Sequence, residues 1–379
     1  MEEKIDSKSI KVLHTECTNS FGGQEIRIIN EMLILQKAGF KMFLAAKKNK
    51  PLAKEARKKG LKVFELPFRG YWDIETFIRL IYLIKKYDID IVNTHSSQNT
   101  WLGGIAAKLL GKKFIRSRHI STPIKKSKLN FINHIADYII TTGEEIKNSI
   151  IKNNKISPKK IISIPSASDI NKFNPNRYDK EKSREFFNIK KDSIIVGNLS
   201  QLREMKGLED FIEIANILLK KYNNLIFVIA GEGDKSFKEK LQNRVKELKI
   251  EDRVIFLGYV KEPELFLKAL DIFLFTSKEG EGLPQSVTQA LMMSLPVIAT
   301  DVGSTKDIFK GDNFILVKPK NNKDILEKLD MLIASKEERN RLSSVARESV
   351  ISDFSLESMR DKIVYVYEKI LNRKIDYEK

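Results

Sequence analysis

The sequence predicts an α/β protein built from two doubly wound parallel sheets. Runs of β-branched and apolar residues alternate with amphipathic helical runs, the pattern of parallel strands joined by crossover helices. A polar stretch, Asn171–Arg184 with Pro175 inside it, interrupts the alternation, which then restarts. The length, 379 residues, is enough for two domains of ordinary size. The expected boundaries are 1–178 and 179–355, with 356–379 a helical run that crosses back to the first domain.

In the first half, strands are expected near Ile10–His14, Lys41–Ala45, Leu61–Glu65, Ile89–His95, Lys113–Arg118, Tyr138–Thr142 and Ile161–Pro165. Helices are expected near Gln24–Ala38, Pro51–Lys59, Ile74–Tyr87, Trp101–Leu110 and Ser127–Ala136. In the second half the strands fall near Ile194–Leu199, Leu225–Ala230, Arg253–Leu257, Ile272–Phe275, Pro296–Ala299 and Phe314–Val317, with helices between them and a last one at Leu356–Leu371. Doubly wound domains bind ligands beyond the C-terminal ends of their strands, so two of them facing across a cleft place both sets of strand ends at the ligand.

Composition narrows the function classes. The single cysteine, Cys17, excludes a disulfide framework and a cysteine-rich metal site, which fits a cytoplasmic protein. No apolar run approaches the ~20 residues of a membrane span, and the first eight residues carry no signal-peptide core. The net charge of +18 is uneven: residues 1–185 hold 36 Lys and Arg against 19 Asp and Glu, residues 186–379 hold 32 against 31. Nucleic acid, an anionic membrane surface and a lipid-phosphate acceptor are the partners such a basic half suits.

The richest segment is Ser277–Asp301: a polar loop, Glu281 before a Gly282-Leu283-Pro284 turn, a helix with Val287, Ala290, Leu291 and Met293 at helical spacing, and a buried strand after Pro296. A turn that opens a helix aims unpaired amides and the positive end of the dipole at one place, an anion site. A carboxylate beside it can hold sugar hydroxyls. The first βα turn, Asn19–Glu25, pairs Gly22 and Gly23 ahead of a helix and is either a second close-approach site or a structural turn. His95 ends a strand, Arg116 and Arg118 flank Ser117 on another, and Arg203 and Lys206 follow the first strand of the second half. The arginines either bind anions or solvate a strand face. Lys125–Ile132 is basic and then amphipathic, either a membrane-surface segment or a solvated helix start. Asp88-Ile89-Asp90 resembles an Asp-x-Asp metal motif but only introduces a strand.

These motifs together resemble the retaining glycosyltransferases of family 4, which have the two-domain GT-B fold. The family pattern is Glu-x7-Glu with Gly-(Leu/Phe)-Pro inside and a Pro-Val-(Ile/Val)-Ala strand after it. Glu281 matches the first Glu; Gln289 stands at the second, whose usual task is to hold the donor ribose, and Ser294 replaces a common Gly. His95 matches a His beside the transferred sugar, His119 a second recurrent His, and Asn93 replaces an earlier one. Lys206-Gly207 matches the phosphate-gripping Lys-Gly; Gln201 occupies the usual Arg position, and Arg203 is the substitute the resemblance offers. Gly22 and Gly23 match the Gly-Gly loop near the donor diphosphate. Gly231-Glu232-Gly233 and Arg253–Val260, which contains Tyr259, match segments of the second domain, the latter bordering the nucleobase.

The resemblance implies an enzyme at the membrane's cytoplasmic face. It would move a sugar from a UDP- or GDP-linked donor, with retention, to a glycolipid or oligosaccharide acceptor of the cell envelope. His95, Glu281, Arg203 and Lys206 would be catalytic. Gly22, Gly23, Gly282, Leu283, Pro284, Gln289 and Tyr259 would bind donor, and Arg116, Arg118 and His119 acceptor. Fixed cations would stand in for a metal, so no metal or other cofactor is expected. Lys206→Ala is expected to lower turnover while hardly moving the melting temperature. A nucleotide-sugar 2-epimerase shares the fold but lacks identifiable acid/base carboxylates here. A basic nucleic-acid-binding protein explains the first half's charge but not the ordered motifs of the second.

Overall fold

The computed structural model describes residues 4–119 and 131–378. The chain divides into two compact units, Met1–Ala167 with Leu356–Lys379, and Ser168–Ser355. The division falls at Ala167/Ser168, where the sequence suggested 178/179. Unit 1 holds 37 Lys and Arg against 20 Asp and Glu and unit 2 holds 31 against 30, so the charge asymmetry follows the units.

Unit 1 begins with strands β1 (Lys4–Asp6) and β2 (Lys11–Glu16), helix α1 (Gly23–Lys37), β3 (Lys41–Lys47), α2 (Pro51–Lys58) and β4 (Lys62–Leu66). Then come α3 (Ile74–Lys86), β5 (Ile91–Thr94), α4 (Ser97–Leu109), β6 (Lys113–Arg118), α5 (Phe131–Ile135), β7 (Tyr138–Thr141), α6 (Glu144–Asn154) and β8 (Ile161–Ser163). Seven strands form a parallel sheet in the order β4-β3-β2-β5-β6-β7-β8. Strand order reverses at β2/β5, the switch point where doubly wound sheets open a crevice. Both faces are covered, so the strands are apolar almost throughout, and alternate residues feed two cores: Val12 and Ile91 one side, Leu13 and Val92 the other. Two expectations change here. His95 lies one residue past β5, and α6 was not foreseen in the sequence. Of the helix expected at 127–136, residues 127–130 lie outside the described ones, as do Lys125, Lys126 and Lys128.

Unit 2 comprises α7 (Lys180–Phe186), β9 (Ile194–Leu199), α8 (Leu208–Lys221), β10 (Leu225–Ala230), α9 (Lys235–Glu247), β11 (Val254–Gly258) and α10 (Pro263–Ala269). It continues with β12 (Ile272–Phe275), α11 (Gln285–Met292), β13 (Val297–Thr300), β14 (Ile315–Val317), α12 (Asn322–Ala334), α13 (Lys336–Ala346) and α14 (Glu348–Phe354). Its six parallel strands run β11-β10-β9-β12-β13-β14, with the switch point at β9/β12. The polar stretch read as a crossing belongs to this unit, where Asp179 caps α7 by accepting from the Lys182 amide at 2.8 Å.

The chain then returns to unit 1 through α15 (Leu356–Leu371) and β15 (Lys374–Asp376). Met359, Ile363, Val366, Tyr367 and Ile370 are buried in the same core as Ile28, Met32 and Leu35 of α1. Each such side chain stabilises by roughly 1.5–3 kcal/mol. β15 pairs in parallel with β1, one Lys-Ile-Asp tripeptide against another, with Ile5 opposite Ile375.

Candidate active site

Both candidate sites sit at the switch points. In unit 2, Lys206 follows β9 and Glu281 follows β12. A 3-10 turn, Glu204–Lys206, ends at Gly207, whose φ of +65° is a left-handed backbone. A Cβ there would also lie 2.1 Å from the Thr276 carbonyl, so only glycine fits. The Thr276 hydroxyl donates to the Lys206 carbonyl at 3.0 Å and the Lys278 amide to that of Met205 at 2.7 Å, stitching the two loops together. On the far side, the Ser304 amide donates to the Gly282 carbonyl at 2.9 Å. Gly303 (φ +55°) presses on the Glu281 carbonyl, which a Cβ would meet at 2.3 Å.

Within this frame the Lys206 ammonium and the Ser277 hydroxyl both bind Glu281 Oε1. The lysine and glutamate side chains are 17% and 10% exposed. Two residues that the sequence assigned to opposite ends of a donor thus neutralise each other. The pairing also corrects the expected thermal neutrality of Lys206→Ala, since the variant would strand a mostly buried carboxylate. Gly282, Leu283 and Pro284 lead into α11, with Pro284 as its N-cap. Arg203 is exposed, and Tyr259, 61% exposed, follows β11. The Gln289 amide donates to the Ser168 hydroxyl at 3.1 Å.

In unit 1 the switch point carries three imidazoles in a row. His14 Nδ1 lies 2.9 Å from His95 Nε2, and His95 Nδ1 lies 2.9 Å from His119 Nε2. The rings are buried and close, with centroids 5.1 and 5.2 Å apart. Burial pushes His14 down to about 3 and holds His95 and His119 well below the usual imidazole range, helped for both by the Arg27 charge. Three neutral imidazoles linked by two hydrogen bonds must all point their N–H the same way along the row. The outer nitrogens, His14 Nε2 and His119 Nδ1, have no protein partner among the described residues. A proton gained at one end and lost at the other reverses every tautomer. Beneath the row, the Asn93 amide donates to Glu31 at 3.2 Å and accepts from Ser117 at 2.9 Å, and Arg27 donates to the Ile164 carbonyl at 2.8 Å.

Glu16, at the end of β2, is fully buried. Its carboxyl accepts from the Cys17 amide at 2.7 Å and the Gln24 side chain at 2.8 Å. Burial pushes it up to about 7, against the pull of a Ser96 hydrogen bond. The Gly22 amide donates to Glu25 at 2.7 Å, so two carboxylates hold the end of α1 that the sequence offered to an anion. Of the expected acceptor residues, Arg116 is buried, and burial first, then Arg118 beside it, lowers it to about 10; Tyr71 opposes both. His119 belongs to the imidazole row. Asp88 and Asp90 lie at the opposite end of β5, engaged by Lys11 and Lys112 and by the Lys11 amide.

His14, Glu16 and Ser277 were missed in the sequence. A histidine and a glutamate closing an apolar strand just ahead of a Gly-Gly turn are a signal for the first two. Nothing local marks Ser277.

Residues 21–172 match the family model Glycosyltransferase Family 4, and residues 179–349 match Glycosyl transferases group 1. The chain is 26% identical over 388 residues to UDP-Gal:alpha-D-GlcNAc-diphosphoundecaprenol alpha-1,3-galactosyltransferase of Escherichia coli, covering 96% of this chain and 98% of that one. A glycosyltransferase from Rickettsia africae ESF-5 superposes with a TM-score of 0.87 at 22% identity, over 96% of this chain and 98% of that chain. Anabaena Alr3699/HepE in complex with UDP-glucose superposes with a TM-score of 0.84 at 16% identity, over 95% of this chain and all of the other. The two family matches occupy successive stretches that between them take in every strand of the unit 2 sheet and six of the seven strands of the unit 1 sheet, β2 lying ahead of the first match. The chain therefore belongs to the group 1, family 4 glycosyltransferases, retaining enzymes of the GT-B fold that draw their sugar from a nucleotide-sugar donor.

Proposed function

We propose that the protein transfers a hexose from a UDP-sugar to the glycan of a lipid-linked cell-envelope acceptor, without a metal, at the cytoplasmic membrane surface. The observation that carries the reading is the Lys206–Glu281 pair at the switch point of unit 2. A donor separates the two charges. Lys206, joined by Arg203, turns to the diphosphate, where its charge counts most as the leaving group becomes more negative. Glu281 is released to the sugar hydroxyls, and the amides opening α11 add to the anion site. Gln289 leaves Ser168 for the ribose. The acceptor hydroxyl attacks from the face the diphosphate leaves, which preserves configuration. In unit 1, His95 holds the transferred sugar, Arg116 and Arg118 meet an anionic group of the acceptor, and Glu16 handles a proton near neutral pH. GDP-sugars are the second donor class to test. The names of the E. coli relative and of the Anabaena complex favour UDP, and the first points to a diphosphate-linked lipid.

The test is calorimetric unfolding with a panel of nucleoside diphosphates and their sugars. At 100 times Kd a ligand bound only by the folded protein adds about 2.7 kcal/mol. UDP and UDP-hexoses should raise the transition, and transfer should survive excess EDTA. No shift with any nucleotide-sugar overturns the donor reading; activity lost to EDTA and restored by magnesium or manganese overturns the metal-independent one.

A further inference from the structure

Helix α3 is amphipathic in an unusual sense. Leu80, Leu83 and Ile84 face the core. The face turned away from it carries Ile74, Ile78 and Tyr82, spaced four apart and 72%, 60% and 56% exposed. The preceding turn adds Tyr71 and Trp72, 52% and 85% exposed. Five large apolar side chains within twelve residues therefore stand in solvent as one row. The row is held firmly. Asp73 caps α3 by accepting from the Thr76 amide at 3.2 Å and ties the turn down through the Arg69 amide at 2.8 Å.

Cations border it. Arg69 and Arg79 share Glu75, Lys85 and Lys86 end the helix, and the Lys86 ammonium lies 5.2 Å from the Tyr82 ring centroid. A recess beside the helix is lined by Lys48, Arg69 and Arg79 along with Glu65 and Glu75. Unit 1 as a whole carries the charge excess. A second copy would bring equal positive charge against this row. An anionic bilayer supplies what both parts of the surface lack, phosphates for the cations and an acyl boundary for the apolar side chains.

We infer that the Tyr71–Tyr82 surface seats unit 1 on an anionic lipid bilayer, with Trp72, Ile74, Ile78 and Tyr82 in the headgroup–acyl boundary. The inference deepens the proposed function, because such seating holds unit 1 at the surface where a lipid-linked acceptor lies.

The experiment uses the full chain with vesicles of phosphatidylcholine alone or with phosphatidylglycerol. The chain's two tryptophans are Trp72 and Trp101, so Trp101→Phe leaves Trp72 as the reporter. Its emission should shift to the blue on anionic vesicles and return in high salt, where the Debye length shrinks to about 3 Å at 1 M. The triple variant Trp72→Ser, Ile74→Ser, Ile78→Ser should bind about tenfold or more weakly. Ile217→Ser, at a half-exposed site in unit 2, should bind as the parent does. The triple variant should keep its UDP affinity and remain monomeric, like the parent. Unshifted emission, equal binding by the triple variant, or a parent dimer that the triple variant dissolves would overturn the inference. Vesicle binding without UDP binding would sink the donor reading and leave the docking surface standing.

Discussion

The two units carry their candidate chemistry at the same topological place and build it from different materials. At the β9/β12 switch point of unit 2, opposite charges neutralise each other and the surrounding loops are stitched by backbone hydrogen bonds. At the β2/β5 switch point of unit 1 the groups are neutral imidazoles and a carboxyl near neutrality, set over the buried Arg27–Glu31 pair, whose Nε and Oε2 stand 3.8 Å apart. Among the described residues, buried polar atoms without a hydrogen-bond partner gather there, on His14, Arg27, Glu31 and His119, with Arg27 and Glu31 meeting only as an ion pair at 3.8 Å. A closed ion pair suits a site that an incoming anion opens, because an anion can replace one partner as it separates the other. Neutral groups suit a site that recognises hydroxyls and moves protons, since burying a lone charge would cost more than it returns.

The sharpest test of this contrast breaks the pair. Lys206→Ala should lower kcat by roughly 100- to 1,000-fold, the range for a lost transition-state donor. It should also destabilise the protein by about 1–3 kcal/mol through the stranded carboxylate. Lys206→Met with Glu281→Gln should recover stability and remain inactive. Recovery of both would reduce the pair to a structural brace.

Unit 1 is probed by pH. With Glu16 near 7, kcat/KM should show one ionisation around that value. Glu16→Gln should abolish it at a cost of about 100-fold, as for a lost general acid or base. A parent profile flat from pH 5.5 to 8.5 removes Glu16 from the reaction.

The imidazole row gives a smaller, thermodynamic effect. His14 is held at about 3 when folded and returns to its usual 6.5 when unfolded. Between those values the unfolded chain binds a proton that the folded chain refuses. Its contribution is therefore intact above pH 6.5 and lost as pH falls toward 3, by about 1.4 kcal/mol per pH unit. From pH 7 to 5, His14→Gln should lose about 2 kcal/mol less stability than the parent, the contributions of Glu16 and Glu31 cancelling in the difference. Tryptophan fluorescence during urea unfolding reads this out, because Trp72 and Trp101 both lie in unit 1. Equal acid sensitivity would mean His14 is charged in the folded protein.

The mildest effect is expected at Gln289. Loss of one neutral hydrogen bond should weaken UDP about three- to tenfold in Gln289→Ala, while Gln289→Glu preserves or tightens binding. Unchanged affinity in both would remove Gln289 from the ribose site.

Fold class and most strands were legible because each strand is a local run of buried residues whose period and length need no partner. The turn at Gly282–Pro284 and the Lys206-Gly207 step were legible for the same reason. What lies between elements was not. His14 and His95 are neighbours only because β2 pairs with β5, and Lys206 meets Glu281 only because β12 returns beside β9. Strand order is a property of the whole sheet, and no window of sequence contains it. The amide of Gly22 looked available for an anion until the structure put the Glu25 carboxylate on it. β1 and β15 escaped notice because a three-residue strand has too little pattern to read.

The return of α15 and β15 has a consequence for biosynthesis. Unit 2 is contiguous and can fold as it leaves the ribosome, whereas unit 1 lacks one flank of its core until Leu356–Asp376 appears. At ~5–20 residues per second, translating unit 2 takes roughly 10–40 s. Through that interval the nascent first unit exposes the apolar side of α1 that Tyr367 and Ile363 will cover, a window in which a chaperone has a defined patch to hold.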